Sequence, residues 1–204
     1  MKRIFSLIMM VAAFGMVMSA CTNKASESQN NATTQKTLVV YYSRSGNTEG
    51  IAKQIAESLG ADIELIEVAE AYPTDYKALE KLAQEETENN VQHPINPLKH
   101  QVKDYDRIIV GTPTWWYKMT SPVLTFLSTA DFKGKTFVPF MTNAGWPGTV
   151  IKDMTAIAEK NGAKVENAKE FKFNTSDDGS QHGMATPEAE LTDWINSLKN
   201  ADNK

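Results

Sequence analysis

Six consecutive residues, Ser43, Arg44, Ser45, Gly46, Asn47 and Thr48, set three hydroxyls and a side-chain amide around one glycine. Together with the backbone N–H groups that Gly46 frees, such a loop can surround an anion. A helix starting near Asn47 adds the positive end of its dipole, which favours a phosphate. A simple helix cap needs only one of these residues, and four donors exceed that need.

Several phosphate and nucleophile chemistries fail on inspection. No Gly-Lys-Ser/Thr triplet follows, as a Walker loop requires, and neither GxGxxG nor GxSxG is present. The single cysteine, Cys21, precedes any segment that reads as folded, so a cysteine phosphatase is excluded. Only Glu49 lies beside the loop, whereas Mg²⁺ would want clustered carboxylates. No Ser/His/Asp or Cys/His set is visible. His93, His100 and His182 share no ligand spacing, lie in polar stretches and read as surface residues. His182 could reach a ligand from the loop after the last strand and serve as a proton donor.

The elements that must hold this loop alternate between strand and helix signals. "TLVVYY" (37–42) and "RIIVG" (107–111) are continuously apolar, as strands buried on both faces are. "ADIELIEV" (61–68) alternates apolar and acidic residues, which suits a half-exposed edge strand. "KTFVPFMT" (135–142) is a fourth strand in which Pro139 predicts a bulge or an unpaired position. "VENAKEFKF" (165–173) is the fifth. Helical spacing runs from Thr48 to Leu59 with Gly60 as the stop, and from about Asp75 to Glu88 with Tyr76, Leu79, Leu82 and Ala83 on one face. Pro122 opens a third helix, Val150 to Ala158 forms a fourth stopped by Gly162, and Thr186-Pro187 starts the last. Five strands interleaved with helices imply a parallel α/β sheet covered on both faces.

Ligands of such sheets bind beyond the carboxyl ends of the strands. Two further loops leave those ends. "TPTWWYKMT" (112–120) carries Thr112, Pro113, Thr114, Trp115, Trp116 and Tyr117, and "TNAGWPGT" (142–149) carries Thr142, Asn143, Ala144, Gly145, Trp146 and Gly148.

The chain resembles the flavodoxin family, whose Ser/Thr-x-Ser/Thr-Gly-Asn-Thr loop binds the phosphate of FMN without a lysine. Ser43 to Thr48 match that motif position by position, "GTPTWWYKMTSPVLTFL" resembles the second flavin loop, and "FMTNAGWPG" resembles the third. The likeness spans about Thr37 to Leu198 and is closest to a bacterial subgroup with a Trp-Trp pair in the second loop. It implies a doubly wound, flavodoxin-like five-stranded parallel sheet of order 2-1-3-4-5, with noncovalent FMN held by the eighteen loop residues named above. The chemistry of the ring agrees: a flat, apolar isoalloxazine wants aromatic walls, and Trp115, Trp116, Tyr117 and Trp146 are candidates whose alternative role is core packing or partner contact. Lys118 departs from the uncharged residue expected near a low-potential flavin; at the pyrimidine edge it would raise the midpoint potential, but the favoured reading is a solvated lysine.

Three functions remain open on this reading: an electron carrier, an NAD(P)H-dependent oxidoreductase acting on quinones or similar small acceptors, and a binding lipoprotein that has lost FMN on the same scaffold. The absence of a second nucleotide site and the expected export favour the carrier, whose partner would be a redox protein or a small-molecule acceptor.

Export is expected from the first residues. Lys2 and Arg3 precede an apolar stretch of about 14 residues, short of the roughly 20 that span a bilayer, and Met18-Ser19-Ala20-Cys21 resembles a bacterial lipobox with Cys21 as the lipidated residue. Residues 21–36 read as a polar tether that cannot bury enough surface to order itself; its random-coil span is roughly 20 Å. The folded body is expected over 37–199, with 200–204 as a tail, a size usual for one domain. One cysteine permits no internal disulfide. Taking away Lys2 and Arg3 moves the formal charge from −4 by two units to −6. With no basic cluster, nucleic acid is not an expected partner, and membrane attachment would rest on the lipid alone.

Overall fold

The computed structural model describes residues 35–174 and 183–201. Seven strands and five α-helices alternate along them. The strands are β1 (Thr37–Tyr41), β2 (Asp62–Leu65), β3 (Arg107–Trp115), β4 (Lys118–Met119), β5 (Thr136–Asn143), β6 (Lys164–Val165) and β7 (Lys169–Lys172). The helices are α1 (Asn47–Leu59), α2 (Tyr76–Asn89), α3 (Ser121–Thr129), α4 (Val150–Lys160) and α5 (Glu188–Ala201).

The sheet runs β2-β1-β3-β5, with β6 and β7 both parallel to β5 on its outer side. Counting β6 and β7 as two halves of one position gives the expected order 2-1-3-4-5. The break between them falls at 166–168, where Asn167 takes a left-handed backbone (φ 49°). Pro139 explains the break. Thr136 N donates to Asp106 O on the β3 side, and Phe137 O accepts from Glu166 N on the other, so by alternation the missing N–H of Pro139 faces the outer strand. No bulge forms in β5 itself, whose register with β3 is continuous from Thr136 to Thr142. The defect lies in the neighbour, which has no donor to answer.

Alternate residues of the central strands feed two cores. Leu38, Val40, Ile108, Val110 and Phe137 meet α3 and α4 through Val123, Phe126, Leu127, Val150 and Met154. Val39, Tyr41, Ile109, Val138 and Phe140 meet α1 and α5 through Ile51, Ile55, Leu191, Trp194 and Ile195. Burial of each such side chain stabilises by about 1.5–3 kcal/mol, which is why the middle stretches of these strands, such as residues 38–40 and 108–110, are apolar on both faces. Gly111 makes room within this packing, since a Cβ there would stand 2.1 Å from the Phe140 ring. Buried Arg107 donates to Thr37 Oγ1 and, at 3.0 Å, to Leu198 O near the end of α5.

Several expected boundaries shift. β2 is only four residues long; beyond it Val68 bridges Ile95, and Glu64 accepts from the backbone of Lys99 and His100, so the 91–101 segment covers this edge. The body extends to Ala201 at one end, and at the other the Lys36 backbone N–H donates to the Asp106 carboxylate, taking in the last residues of the expected tether. α5 starts at Glu188, just after Pro187. The expected signal peptide, Cys21 and His182 lie outside the described residues.

Candidate functional site

The first loop is built as its residue types require. Gly46 takes φ 92°, a left-handed conformation that favours glycine, and stands as the N-cap of α1 with no side-chain cap bond of its own. Its N–H donates to Ser43 Oγ at 3.2 Å, which folds the loop back on itself. Thr48 is buried, and its hydroxyl pairs with Thr142 Oγ1 at 2.8 Å, tying the first loop to the third. The Arg44 guanidinium lies 5.3 Å from the Tyr76 ring centroid, over its face.

The second segment, read from the sequence as a loop over 112–120, is a hairpin. β3 runs on to Trp115, turns in two residues and returns as β4, with Trp115 opposite Lys118 and Thr114 opposite Met119. Both turn residues have positive φ, 46° at Trp116 and 64° at Tyr117. This is the backbone that matches hairpin twist, and it is normally built from Asn and Gly. Left-handed backbone costs a residue with a side chain about 1–2 kcal/mol, so neighbours must hold the turn. Trp116 Nε1 donates to Glu80 O on α2 (2.9 Å), and Thr149 N donates to Tyr117 O (2.9 Å). Lys118 Nζ reaches Asp153 and Thr149, both at 2.8 Å. That pairing directs Lys118 toward α4 and away from the cavity described below, so it lies as a partly exposed surface lysine and not at a ring edge.

These elements enclose an open cavity of about 480 Å³ at the carboxyl ends of β1, β3 and β5. Fourteen of the eighteen sequence candidates line it: Ser43, Arg44, Ser45, Asn47 and Thr48; Pro113, Thr114, Trp115, Trp116 and Tyr117; Thr142, Asn143, Ala144 and Trp146. The other four shape its frame. Gly46 caps α1. Thr112 is buried in the hairpin base, bonded to Thr120 and Pro113 O. Gly145 donates its N–H to Asn143 Oδ1, and Gly148 lies against the Tyr117 backbone.

Six lining residues come from outside the three loops: Tyr76, Leu79, Glu80 and Ala83 on α2, and Phe173 and Asn174 after β7. The helical spacing of Tyr76, Leu79 and Ala83 is legible in the sequence, but an apolar face does not say whether it meets a core or a ligand.

Behind the cavity wall, Trp115 is edge-on to Tyr42 and Tyr72, with centroids 5.7 and 5.2 Å away. Burial pushes the Tyr42 phenol up to about 12 and also raises that of Tyr72, helped by its bond to Glu86. His93 is no surface residue: it is buried, stacked on Tyr72 and bonded to Glu86. At the mouth, Trp116, Tyr117 and Trp146 are 40%, 54% and 57% exposed, leaving flat apolar surface open to an incoming group.

Two buried polar atoms have no partner among the described residues, Asn47 Oδ1 and Thr114 Oγ1, and both belong to residues lining the cavity. An unsatisfied buried polar group costs about 1–3 kcal/mol. The volume, the apolar walls and a few unsatisfied polar atoms together are those of a cofactor site. Among the described residues no cluster could hold a metal, and no helix is long and apolar enough to cross a membrane.

Comparison with known proteins places this geometry. A family model described as Flavodoxin matches residues 36–197. A flavoprotein from Lactobacillus acidophilus NCFM, solved in complex with FMN, is 24% identical and superposes with a TM-score of 0.59 over 67% of this chain and 93% of its own. A flavodoxin, WrbA-like protein from Agrobacterium tumefaciens is 18% identical, with a TM-score of 0.55 over 83% of this chain and 96% of its own. At such identities the likeness is one of fold. The NAD(P)H dehydrogenase (quinone) of Chromohalobacter salexigens is 33% identical over 95 residues, 45% of each chain, so the match spans less than half of that relative.

Proposed function

The chain belongs to the flavodoxin family, and from that premise we propose that it is a redox protein that binds FMN noncovalently in the cavity and passes electrons between partners. The observation that carries this reading is the loop 43–48 at the start of α1, whose N-cap Gly46 makes no side-chain bond to the first amides, opening on a cavity whose Asn47 Oδ1 and Thr114 Oγ1 are buried and unsatisfied. Ser43, Ser45 and the first amides of α1 would hold the phosphate, the helix dipole and Arg44 adding positive potential. Asn47 and Thr114 would take hydrogen bonds from the polar parts of the cofactor. Trp115, Trp116, Tyr117 and Trp146 would wall the ring, excluding water from part of it and leaving the rest exposed at the mouth. When bound, FMN supplies reversible one- and two-electron chemistry, so no side chain need act as a nucleophile.

Titrating the full chain with FMN, followed by flavin absorbance and fluorescence, tests this. Saturable one-to-one binding weakened by Asn47→Ala supports it, and no binding at micromolar FMN would make the fold a scaffold without its cofactor.

The acceptor is a protein or a small planar molecule. The partial similarity to a quinone-reducing dehydrogenase favours testing the second: NADPH consumption that depends on both FMN and a quinone would identify an enzyme, and its absence would leave the carrier. The lipoprotein reading of residues 1–21 completes the proposal. Labelled fatty acid should be incorporated into the full chain in a bacterial host and not into Cys21→Ser.

A further inference from the structure

Trp115 forms part of the cavity wall, and behind it stands a chain of groups that flavin binding does not use. Tyr72 meets Trp115 edge-on, with centroids 5.2 Å apart and planes at 80°. Its hydroxyl donates to Glu86 Oε2 at 2.7 Å. Glu86 Oε1 shares a 2.6 Å hydrogen bond with His93 Nδ1, and His93 Nε2 donates to Glu70 O at 2.8 Å. His93 also stacks on the Tyr72 ring, 4.3 Å between centroids. Glu86 and His93 are buried, whereas Tyr72 is partly exposed.

Such an arrangement is more than packing requires. A phenol is hard to oxidise unless its proton can leave as the electron does, and a base already hydrogen-bonded to it removes that obstacle. Of the two phenols touching Trp115, Tyr72 is the one whose hydroxyl donates to a carboxylate. The Glu86–His93 bond holds that carboxylate in place through its other oxygen.

We propose that Trp115, Tyr72 and Glu86 form a relay that carries an oxidising equivalent away from the cavity wall. The initiating oxidant is a diffusible one-electron radical, which converts Trp115 to its indole radical cation. An electron then passes from Tyr72 to Trp115, the phenol O–H bond breaks, and the proton moves to Glu86 Oε2. The products are neutral Trp115, a neutral phenoxyl radical on Tyr72 and a protonated Glu86 carboxyl. A one-electron reductant of the thiol or ascorbate class then reaches the exposed part of Tyr72 and reduces it, and the proton returns from Glu86. The relay would spare the ring wall from irreversible oxidation at a site built for electron traffic. It uses only side chains of this chain and stands or falls independently of whether FMN binds.

Pulse radiolysis of the full chain without FMN, with azide radical as the oxidant of indoles, tests it. The indolyl absorbance should decay into tyrosyl absorbance in a fast phase whose rate does not depend on protein concentration. Tyr72→Phe, which keeps the ring against Trp115 and His93, should abolish that phase, as should Trp115→Phe, while Tyr42→Phe retains it. Glu86→Gln should slow it by roughly 100-fold, the low end of what a positioned base contributes. Because Glu86→Gln also alters the bond to His93, the wild-type rate is measured in D₂O as well, where it should fall. A wild-type rate in Tyr72→Phe, loss of the phase in Tyr42→Phe, or equal rates in H₂O and D₂O would overturn the proposal.

Discussion

The backbones of Gly148 and Tyr117 touch: a Cβ on Gly148 would stand 2.0 Å from Tyr117 O. The next residue, Thr149, donates its N–H to that same carbonyl at 2.9 Å. The second and third loops are thus one unit, and the strained hairpin turn is seated on a glycine that does not itself line the cavity.

Gly148→Ala should therefore act on binding at a distance. Both the overlap with Tyr117 and the left-handed backbone (φ 58°) oppose a side chain, and alanine at such a position destabilises by more than about 1 kcal/mol. Urea unfolding should show that loss, and an FMN titration should show affinity at least about tenfold lower, equivalent to about 1.4 kcal/mol. Unchanged binding would mean that the hairpin holds its place without this contact.

Thr114→Val should separate stability from binding. The Thr114 hydroxyl is buried without a partner, so removing it at nearly constant shape relieves about 1 kcal/mol of unmet hydrogen bonding. The variant without FMN should unfold at a higher urea concentration than wild type, yet bind FMN more weakly. Equal affinities would show that the hydroxyl does not face the ligand.

Trp116→Phe keeps an aromatic ring at the turn and deletes the indole N–H that donates to Glu80 O. A bond of this kind contributes about 0.5–1.5 kcal/mol. Loss of the tether between hairpin and α2 should raise the FMN dissociation rate more than it lowers the association rate, as stopped-flow fluorescence would record. An equal dissociation rate in Trp116→Phe would assign Trp116 to ring contact alone.

Lys118→Gln should leave the flavin midpoint potential where it is, because the ammonium is engaged by Asp153 and Thr149 outside the cavity. The pair is partly exposed, with side chains 46% and 30% accessible, and such pairs contribute about 0–1 kcal/mol. Spectroelectrochemistry of the FMN-loaded protein checks the potential; a shift to lower values would place the lysine charge at the ring after all.

Where sequence and structure agree, the reason is local. Leu38, Val39 and Val40 are apolar without alternation because both faces of β1 are covered, and that run of residues is visible before any fold is known. Ser43 to Thr48 are legible as a donor-rich turn into α1 because a left-handed glycine, short donors and a helix start must be neighbours in the chain. The two further loops are legible because α/β topology sends them to the same end of the sheet.

Where they part, the deciding partner is distant in sequence. Pro139 signals a defect, but only the alternation of β5 between β3 and its outer neighbour decides that the break falls at Asn167. Trp116 and Tyr117 carry none of the residues that mark a two-residue hairpin; the turn is held by Glu80, Gly148 and Thr149, none of them adjacent to it. His93 looks like a loop histidine until Glu86 and Tyr72 are brought to it. The α/β architecture, the donor-rich loop before α1 and the segments that form the cavity are encoded along the chain, in periodicity and short-range donor spacing. Which α2 residues close the cavity, where Lys118 points and which tyrosine gains a carboxylate depend instead on side chains meeting across packed elements, so no local pattern carries them.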